Sequence, residues 1–484
     1  MNKSIILITT DALRYDHLSC LDLISYNIDT TPFFDSLIEN EATLFGQHTS
    51  TGSGTSTSFP GIHASSLPLT NGYAGLNQDH TSLAEVLQRN SVQTIGVTAQ
   101  TSCSSLYDYD RGFDVFEDWV TEEGLDRETG SFSAKLKKYV KKFLKNNPLI
   151  VPIGLRFYQF LQRDTVDRCP YRRATEVTDT TLSLVDKHVD PNSPFFIWVH
   201  FMEPHSPHHP PERFVKKFYD GDWTEERINE VILRTNLMRS DIADGTMREL
   251  VSDEEIRAIR DFYAAATRYV DSEIKRLINE FKDRNLLEDA AIFVTADHGE
   301  ELFDHGDLGH RPKMYDELIR VPLIYFDESE ELNQHQQIQQ VTSHIDIAPT
   351  ITDLLQLDTP EIWEGQSLIK YIKNEDMPSR DYAIAELCHR SGLGGSVNLD
   401  KYIGAVRKKD WKYIQNRQLN KNELYDLVND TEEQQNIIKS TSQQTQELSE
   451  ILEKRLDGLT ERTLDTDISD KAQNRLRELG YLDE

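Results

Sequence analysis

Ala291-Ile292-Phe293-Val294-Thr295-Ala296-Asp297-His298-Gly299-Glu300 is an apolar, partly β-branched run that stops at an acid–imidazole pair and a glycine. The run reads as a buried strand. A carboxylate oxygen beside an imidazole nitrogen, fixed at the mouth of a rigid strand, is a donor pair suited to a divalent metal. The plainer alternative is a strand that ends in a polar turn. Which reading holds depends on what the rest of the chain brings to that end.

Strands and helices alternate outward from this run. Residues 4–9 read as a second fully buried strand, ending at Thr10-Asp11. A helix is expected from Pro32, with Thr31 as its cap and proline at the first helical position. Residues 81–87 read as helix, 94–98 and 195–201 as strands, and 253–281 as a long amphipathic helix. Residues 291–295 and 321–326 read as strands and 348–355 as helix. Such alternation indicates an α/β fold with a mostly parallel sheet covered by helices on both faces. Ligands in these folds sit beyond the carboxyl ends of the strands, where Asp11 and Asp297 both fall. After about residue 375 the texture changes. Residues 382–387, 402–407 and 412–415 read as short strands of a smaller antiparallel sheet, followed by a terminal helix over 469–482. The expected division is therefore 1–375 and 376–484.

The 484 residues carry 52 basic and 82 acidic side chains, a net charge of −30. That balance argues against general nucleic-acid binding and suits a highly solvated surface. Hydrophobic and charged contents of 38% and 28% fit a globular protein. Cys20, Cys103, Cys169 and Cys388 are scattered without a CxxC pair and read as reduced thiols. No run approaches the roughly 20 apolar residues of a membrane span, and the first residues lack a signal pattern. A cytoplasmic location is the expectation.

One segment stands apart by charge. Residues 131–164 hold Lys135, Lys137, Lys138, Lys141, Lys142, Lys145, Arg156 and Arg163 against a single acid, Asp164. Leu136, Tyr139, Val140, Phe143 and Leu144 recur among them at helical spacing. The basic insertion at 131–165 reads first as a helix packed on the main domain. Weak peripheral contact with an anionic membrane surface, or a cationic flank to an anionic substrate's path, are the other readings.

A loop rich in glycine, serine and threonine is expected over 49–58. Its glycines permit close backbone approach, and a following helix start would offer N–H groups to an anion. Thr55, Ser56, Thr57 and Ser58 are all hydroxyl nucleophile candidates; a flexible linker is the commoner meaning of such composition.

Thr10-Asp11-Ala12-Leu13-Arg14, the Thr55 loop, Asp297-His298-Gly299-Glu300 and Arg320-Val321-Pro322-Leu323-Ile324 resemble, in order and spacing, the sulfatase family of the alkaline phosphatase superfamily. So do His344-Ile345-Asp346-Ile347-Ala348-Pro349-Thr350, Trp363-Glu364-Gly365-Gln366-Ser367-Leu368 and Glu423-Leu424-Tyr425-Asp426-Leu427. The ending Arg475-Leu476-Arg477-Glu478-Leu479-Gly480-Tyr481-Leu482 also looks familiar. The likeness spans nearly the whole chain, apart from the basic insertion and parts of 210–250. It implies an alkaline phosphatase/sulfatase-like fold, with a catalytic domain over 1–375 and a small-sheet subdomain after it. The implied metal ligands are Asp11, Asp297 and His298, with Ala12 standing where many sulfatases have a second aspartate. His205 resembles the histidine that contacts the ester or its leaving group. His310 and Arg311 lie where the family has a cationic substrate-binding residue, usually lysine. Without the resemblance, His205 and His310 would read as surface histidines in proline-rich loops.

The main departure is Thr55. Sulfatases carry a cysteine or serine there, oxidised to formylglycine and followed by proline and arginine; here Thr57 and Phe59 follow. Threonine is a secondary alcohol and would give a ketone, not an aldehyde. Related phosphodiesterases and phosphotransferases use a threonine as both nucleophile and metal ligand. The expected site is thus a single divalent ion (Zn²⁺, Mn²⁺ or Ca²⁺) held by Asp11, Thr55, Asp297 and His298. A second metal would need Asp-x-x-x-His, and Asp307-Leu308-Gly309-His310 is one residue short. The expected activity is hydrolysis of a small-molecule or glycan sulfate or phosphate ester. Phosphodiester cleavage or phosphotransfer is the nearest alternative. A non-catalytic protein binding an anionic glycan or lipid head group is the other.

Overall fold

The computed structural model describes residues 3–119, 171–219, 247–327, 336–375, 380–388, 398–440 and 442–459, except 25, 27, 73 and 74, with scattered positions between 221 and 245. The basic insertion at 131–165 and the helix expected over 469–482 lie outside the described residues.

Strands β1 (Ser4–Thr10), β2 (Thr43–Thr49), β3 (Gln93–Thr98), β4 (Val115–Glu117), β5 (Phe195–Phe201), β6 (Ala290–Ala296), β9 (Leu323–Asp327) and β10 (Gln336–Ser343) form one sheet. Between β6 and β9, β7 (Glu301–Leu302) pairs with β8 (Leu308–Gly309) as a small hairpin. The sheet order is β10-β2-β9-β6-β1-β5-β3-β4. Only β9 runs against its neighbours, β2 and β6; the other pairings are parallel. The sheet is therefore mostly parallel, as expected.

The apolar character of its central strands β1, β5 and β6 follows from burial on both faces. Ile6 and Ile8 of β1 enter one core with helices α1 (Pro32–Asn40), α4 (Ala174–His188) and α5 (Asp253–Asp283). Ile5 and Leu7 enter the opposite core with α2 (Thr55–Ala64), α3 (Leu83–Arg89) and α6 (Ile347–Leu354). One strand thus feeds two cores by the alternation of its side chains.

Two expectations change in detail. The stretch over 49–58 is not a single loop: β2 ends at Thr49 and α2 begins at Thr55. Pro60 inside that helix and its Gly/Ser/Thr start made it look unstructured. Helix α1 starts at Pro32, but the Thr31 side chain does not cap it. The Thr31 hydroxyl donates to Asp35 instead, at 2.9 Å. The exposed N–H groups of Phe33 and Phe34 donate to the Asp271 carboxylate of α5, at 3.1 and 3.0 Å. The cap is supplied by a neighbouring helix.

The C-terminal part is an antiparallel sheet in the order β11 (Ala383–Leu387), β12 (Ile403–Arg407), β13 (Trp411–Asn416), β14 (Lys421–Asp426). Helix α7 (Ser442–Asp457) covers one face through Leu448 and Leu452. The other face packs on Met314, Tyr315, Leu318 and Ile319. A buried ionic group fastens this contact: Lys412 reaches Asp316 at 2.7 Å and Glu433 at 2.6 Å, and Arg407 reaches Asp316 at 2.8 Å. Among the described residues no helix is long and apolar enough to cross a membrane.

Glu203, just after β5, accepts a bond from the Ala174 N–H at the start of α4 at 3.1 Å. Burial pushes its carboxyl up to about 8. The folded state therefore holds a proton that the unfolded chain releases near pH 4.5. Stability from this group is present at low pH and declines as pH rises from 4.5 towards 8, by about 1.4 kcal/mol per pH unit in that window. Glu203→Gln keeps the acceptor and removes the proton. Its melting temperature should rise relative to wild type between pH 5 and pH 8; a constant difference would contradict the assignment.

Candidate active site

Parallel pairing of β1 with β6 runs in register to Thr10↔Ala296, so the next residues, Asp11 and Asp297, emerge side by side. The ladder is carried one step further by Asp297 N–H to Thr10 O at 3.1 Å and Asp11 N–H to Phe201 O at 2.8 Å. Both carboxylates are fully buried. Each has one oxygen engaged. Asp11 Oδ2 accepts from Gln100 Nε2 at 2.7 Å, and Asp297 Oδ1 accepts from the N–H groups of Ala12 and His298 at 3.1 and 2.8 Å. The remaining oxygens, Asp11 Oδ1 and Asp297 Oδ2, have no hydrogen-bond partner. They lie 3.4 and 3.5 Å from His298 Nε2.

His298 Nδ1 lies 2.7 Å from the Gly299 carbonyl. A carbonyl only accepts, so Nδ1 carries the proton and Nε2 turns its lone pair to the two carboxylates. Gly299 is required for this turn, because a Cβ there would sit 2.0 Å from the Glu317 carbonyl oxygen. Ala12, at φ 66°, makes the matching turn after β1. It is held by the Tyr263 hydroxyl of α5, which donates to its carbonyl at 2.7 Å.

Thr55 opens α2, where the helix dipole favours negative charge. Its hydroxyl lies 3.4 Å from His298 Nε2. Two of the neighbouring hydroxyls are otherwise engaged: Thr57 donates to Gly54 O at 2.7 Å and Ser58 to Gly52 O at 3.1 Å. Gly52 permits that packing, since a Cβ there would lie 2.2 Å from Thr57 Oγ1.

The electrostatics match a cation site. Burial raises the Asp11 carboxyl, but His205 and the hydrogen bond to His200 outweigh it and hold it well below the usual range. Burial and then the Asp11 charge push Asp297 well above that range. Burial, with His310 nearby, lowers His298 to about 4, which keeps its imidazole neutral. Two neighbouring carboxylates, each pressed by the other's charge, with an orphaned oxygen each and a neutral imidazole aimed at them, fit a divalent cation. Asp11, Asp297 and His298 offer ligand atoms within 4.8 Å of one another, the one such group of three among the described residues. Thr55 would add a hydroxyl oxygen.

His205 and His310 stand at the outer side. His205 Nε2 lies 3.9 Å from Asp11 Oδ1. The His310 ring centre is 4.6 Å from that of His298 and 5.0 Å from that of His205. Their side chains are 19% and 33% exposed, while Asp11, Asp297 and His298 are sealed, so these two imidazoles meet an incoming molecule first. Arg311 follows His310 in the chain and is buried. It is 1% exposed, with Nη1 3.4 Å from Asp307 Oδ1 and 3.5 Å from Met247 Sδ.

Three further residues belong to the site: Gln100, His200 and Glu300. His200 Nε2 is 3.6 Å from Asp11 Oδ2, and its Nδ1 is 2.9 Å from the Thr9 hydroxyl. A histidine inside the otherwise apolar run 195–201 was its visible signal. Glu300 is fully buried, 3.7 Å from His310 Nδ1. Burial raises its carboxyl, but His310, His205 and His208 outweigh that and lower it. Its place one residue after Asp297-His298-Gly299 was its signal. Gln100 follows β3 and carried none.

A large, mostly parallel sheet thus brings two acidic strand ends and a histidine to one candidate cation site. The sulfatase family model matches residues 3–357, and a model described as N-sulphoglucosamine sulphohydrolase, C-terminal, matches 304–462. The chain belongs to the sulfatase family. It is 26% identical over 285 residues to an uncharacterized sulfatase, YidJ, of Escherichia coli (strain K12), covering 59% of this chain and 55% of that protein. It is 26% identical over 276 residues to an arylsulfatase of Clostridium perfringens, covering 56% and 55%. The chain thus spans about half the length of the curated relatives it matches. Among solved structures, a protein in complex with its substrate D-glucosamine-2-N,6-O-disulfate superposes with a TM-score of 0.69 at 19% identity, covering 96% of this chain and 100% of that one. The phosphonate monoester hydrolase of Agrobacterium radiobacter superposes at 0.67 and 20% identity, covering 94% and 95%. These likenesses show a shared fold.

Proposed function

We propose that this protein is a cation-dependent hydrolase of a sulfate or phosphate ester, with Thr55 as nucleophile. The observation that carries the reading is the pair of orphaned carboxylate oxygens, Asp11 Oδ1 and Asp297 Oδ2, facing the lone pair of His298 beside the Thr55 hydroxyl. Asp11, Asp297, His298 and Thr55 would hold one Zn²⁺, Mn²⁺ or Ca²⁺. A bound divalent ion makes a coordinated hydroxyl more acidic and offsets charge on the ester's oxygens. Thr55 Oγ attacks sulfur or phosphorus in line with the leaving oxygen, at a helix start that favours the alkoxide. His205 and His310 bind the anionic ester and assist the departing oxygen. Asp11 and Asp297 exclude a free anion from the pocket unless the cation is in place, which ties substrate binding to metal loading.

A sulfated sugar is the substrate named for one structural relative, and a phosphonate monoester hydrolase is another. The family favours a sulfate ester, and a threonine that cannot become formylglycine favours phosphate chemistry. A metal analysis of the purified protein, followed by aryl sulfate, phosphate monoester, phosphodiester and phosphonate monoester assays, tests the reading. About one bound divalent ion per chain and turnover of at least one of these esters are expected. A protein that binds no divalent ion and turns over none of them would remove the proposal and leave anion binding without catalysis.

A further inference from the structure

We infer that Glu300 is a positioning residue that turns His310 so that its Nε2–H faces Thr55, making His310, rather than His205, the proton donor to the leaving oxygen. The inference rests on the hydrolase reading above and names how one of its steps is carried out.

The imidazole of His310 sits between two fixed walls. On one edge, Nδ1 is 3.7 Å from Glu300 Oε1. That is a small rotation from a hydrogen bond, a gap often closed only when substrate is bound. On the other edge, Cδ2, the atom bonded to Nε2, lies 3.8 Å from where a Cβ would stand on Gly54, the residue before Thr55. Nδ1 thus lies on the Glu300 side of the ring, and the Cδ2 corner lies toward the residue that precedes the nucleophile. Glu300 is held where it is by Gly309, whose φ of 92° and missing side chain leave room for the carboxylate; a Cβ there would be 3.3 Å from Oε1. His205 lacks this arrangement, because its Nε2 points at Asp11 Oδ1, a cation ligand candidate. A carboxylate behind one nitrogen and a reacting group before the other is the orientation logic of an acid–base histidine.

The step balances as follows. Thr55 Oγ loses its proton to solvent and forms a bond to sulfur or phosphorus. The bond to the bridging oxygen breaks, and that oxygen takes the proton from His310 Nε2. In the second half, water loses a proton to His310 as it attacks the Thr55 ester, and Thr55 Oγ regains a proton from solvent. Glu300 keeps Nδ1–H engaged throughout.

The test is the dependence of rate on the leaving group. Whole protein with Mn²⁺ or Zn²⁺ is assayed on a series of aryl esters from nitrophenyl to unsubstituted phenyl, as wild type, Glu300→Met, which removes the acceptor at similar volume, and His310→Gln. Proton donation is needed most by poor leaving groups. Both variants should therefore lose progressively more along the series, reaching about 10²-fold on the phenyl ester. The double variant should lose no more than His310→Gln alone. A loss that is uniform across the series in both variants would overturn the inference, as would multiplication of the two single losses in the double variant. If Glu300→Met fails to fold, Glu300→Gln, which keeps an accepting oxygen, should retain the wild-type slope, and a slope as steep as that of His310→Gln would overturn the inference. Absence of wild-type turnover on every ester would instead sink the hydrolase reading itself.

Discussion

Replacing Thr55 by alanine is expected to lower kcat by about 10³-fold or more, on whichever ester proves to be the substrate. The substitution removes the hydroxyl and the γ-methyl group. Thr57 and Ser58 hold the start of α2 through the carbonyls of Gly54 and Gly52, so the helix and its dipole stay in place. Asp11, Asp297 and His298 remain to hold the cation, so the variant should still bind it, with somewhat lower affinity. Thr55→Ser restores a primary alcohol at the same point and should recover much of the rate. Steady-state kinetics beside metal analysis separate these terms. If Thr55→Ala keeps its rate within tenfold of wild type, the nucleophile is another group or water.

The second large effect concerns Asp297→Asn. An asparagine Oδ1 can keep both bonds that the carboxylate accepts, from Ala12 and His298 N–H. What disappears is a buried charge against Asp11. Without a cation, that charge is unfavourable, as the upward push on Asp297 by burial and by Asp11 indicates. The variant should therefore melt no lower than metal-free wild type, although a buried residue was changed. With a divalent ion at a hundred times its dissociation constant, wild type should gain about 2.7 kcal/mol by mass action. Asp297→Asn should gain little and should have lost turnover. Calorimetry with chelator and with added Zn²⁺, Mn²⁺ or Ca²⁺ gives all four states. An equal metal-induced shift in both proteins would remove Asp297 from the ligand set.

Much of this was readable in the chain. The runs 4–9, 195–201 and 291–295 are apolar because both of their faces are buried, and that composition marks them as central strands. Asp11 and Asp297 announce themselves by ending such runs. Their adjacency does not, since it depends on β1 pairing with β6 rather than with β3 or β9. Gln100 was invisible because a glutamine after a strand has no distinctive pattern; only the fold brings it to Asp11. The start of α2 was hidden because glycine, serine, threonine and Pro60 all disfavour helix when read alone. Tertiary packing, with Phe59 and Ile62 fully buried, overrides that preference. Thr31 was misjudged for a similar reason: the acceptor that serves α1 is Asp271, far away in sequence. Helix α7 was missed although Leu448, Leu452 and Leu456 recur every fourth residue, because glutamine and glutamate dominate the rest of it.

β1 lies in the middle of the sheet, yet Ile5 pairs with Phe196 on one side and Ala291 on the other. The first strand made must wait until β5 (Phe195–Phe201) for one neighbour and until β6 (Ala290–Ala296) for the other. Closing such distant pairs is entropically slow, and the carboxylates of Asp11 and Asp297 meet only when it is done. A cation held between them would therefore require that the central strands have already found each other.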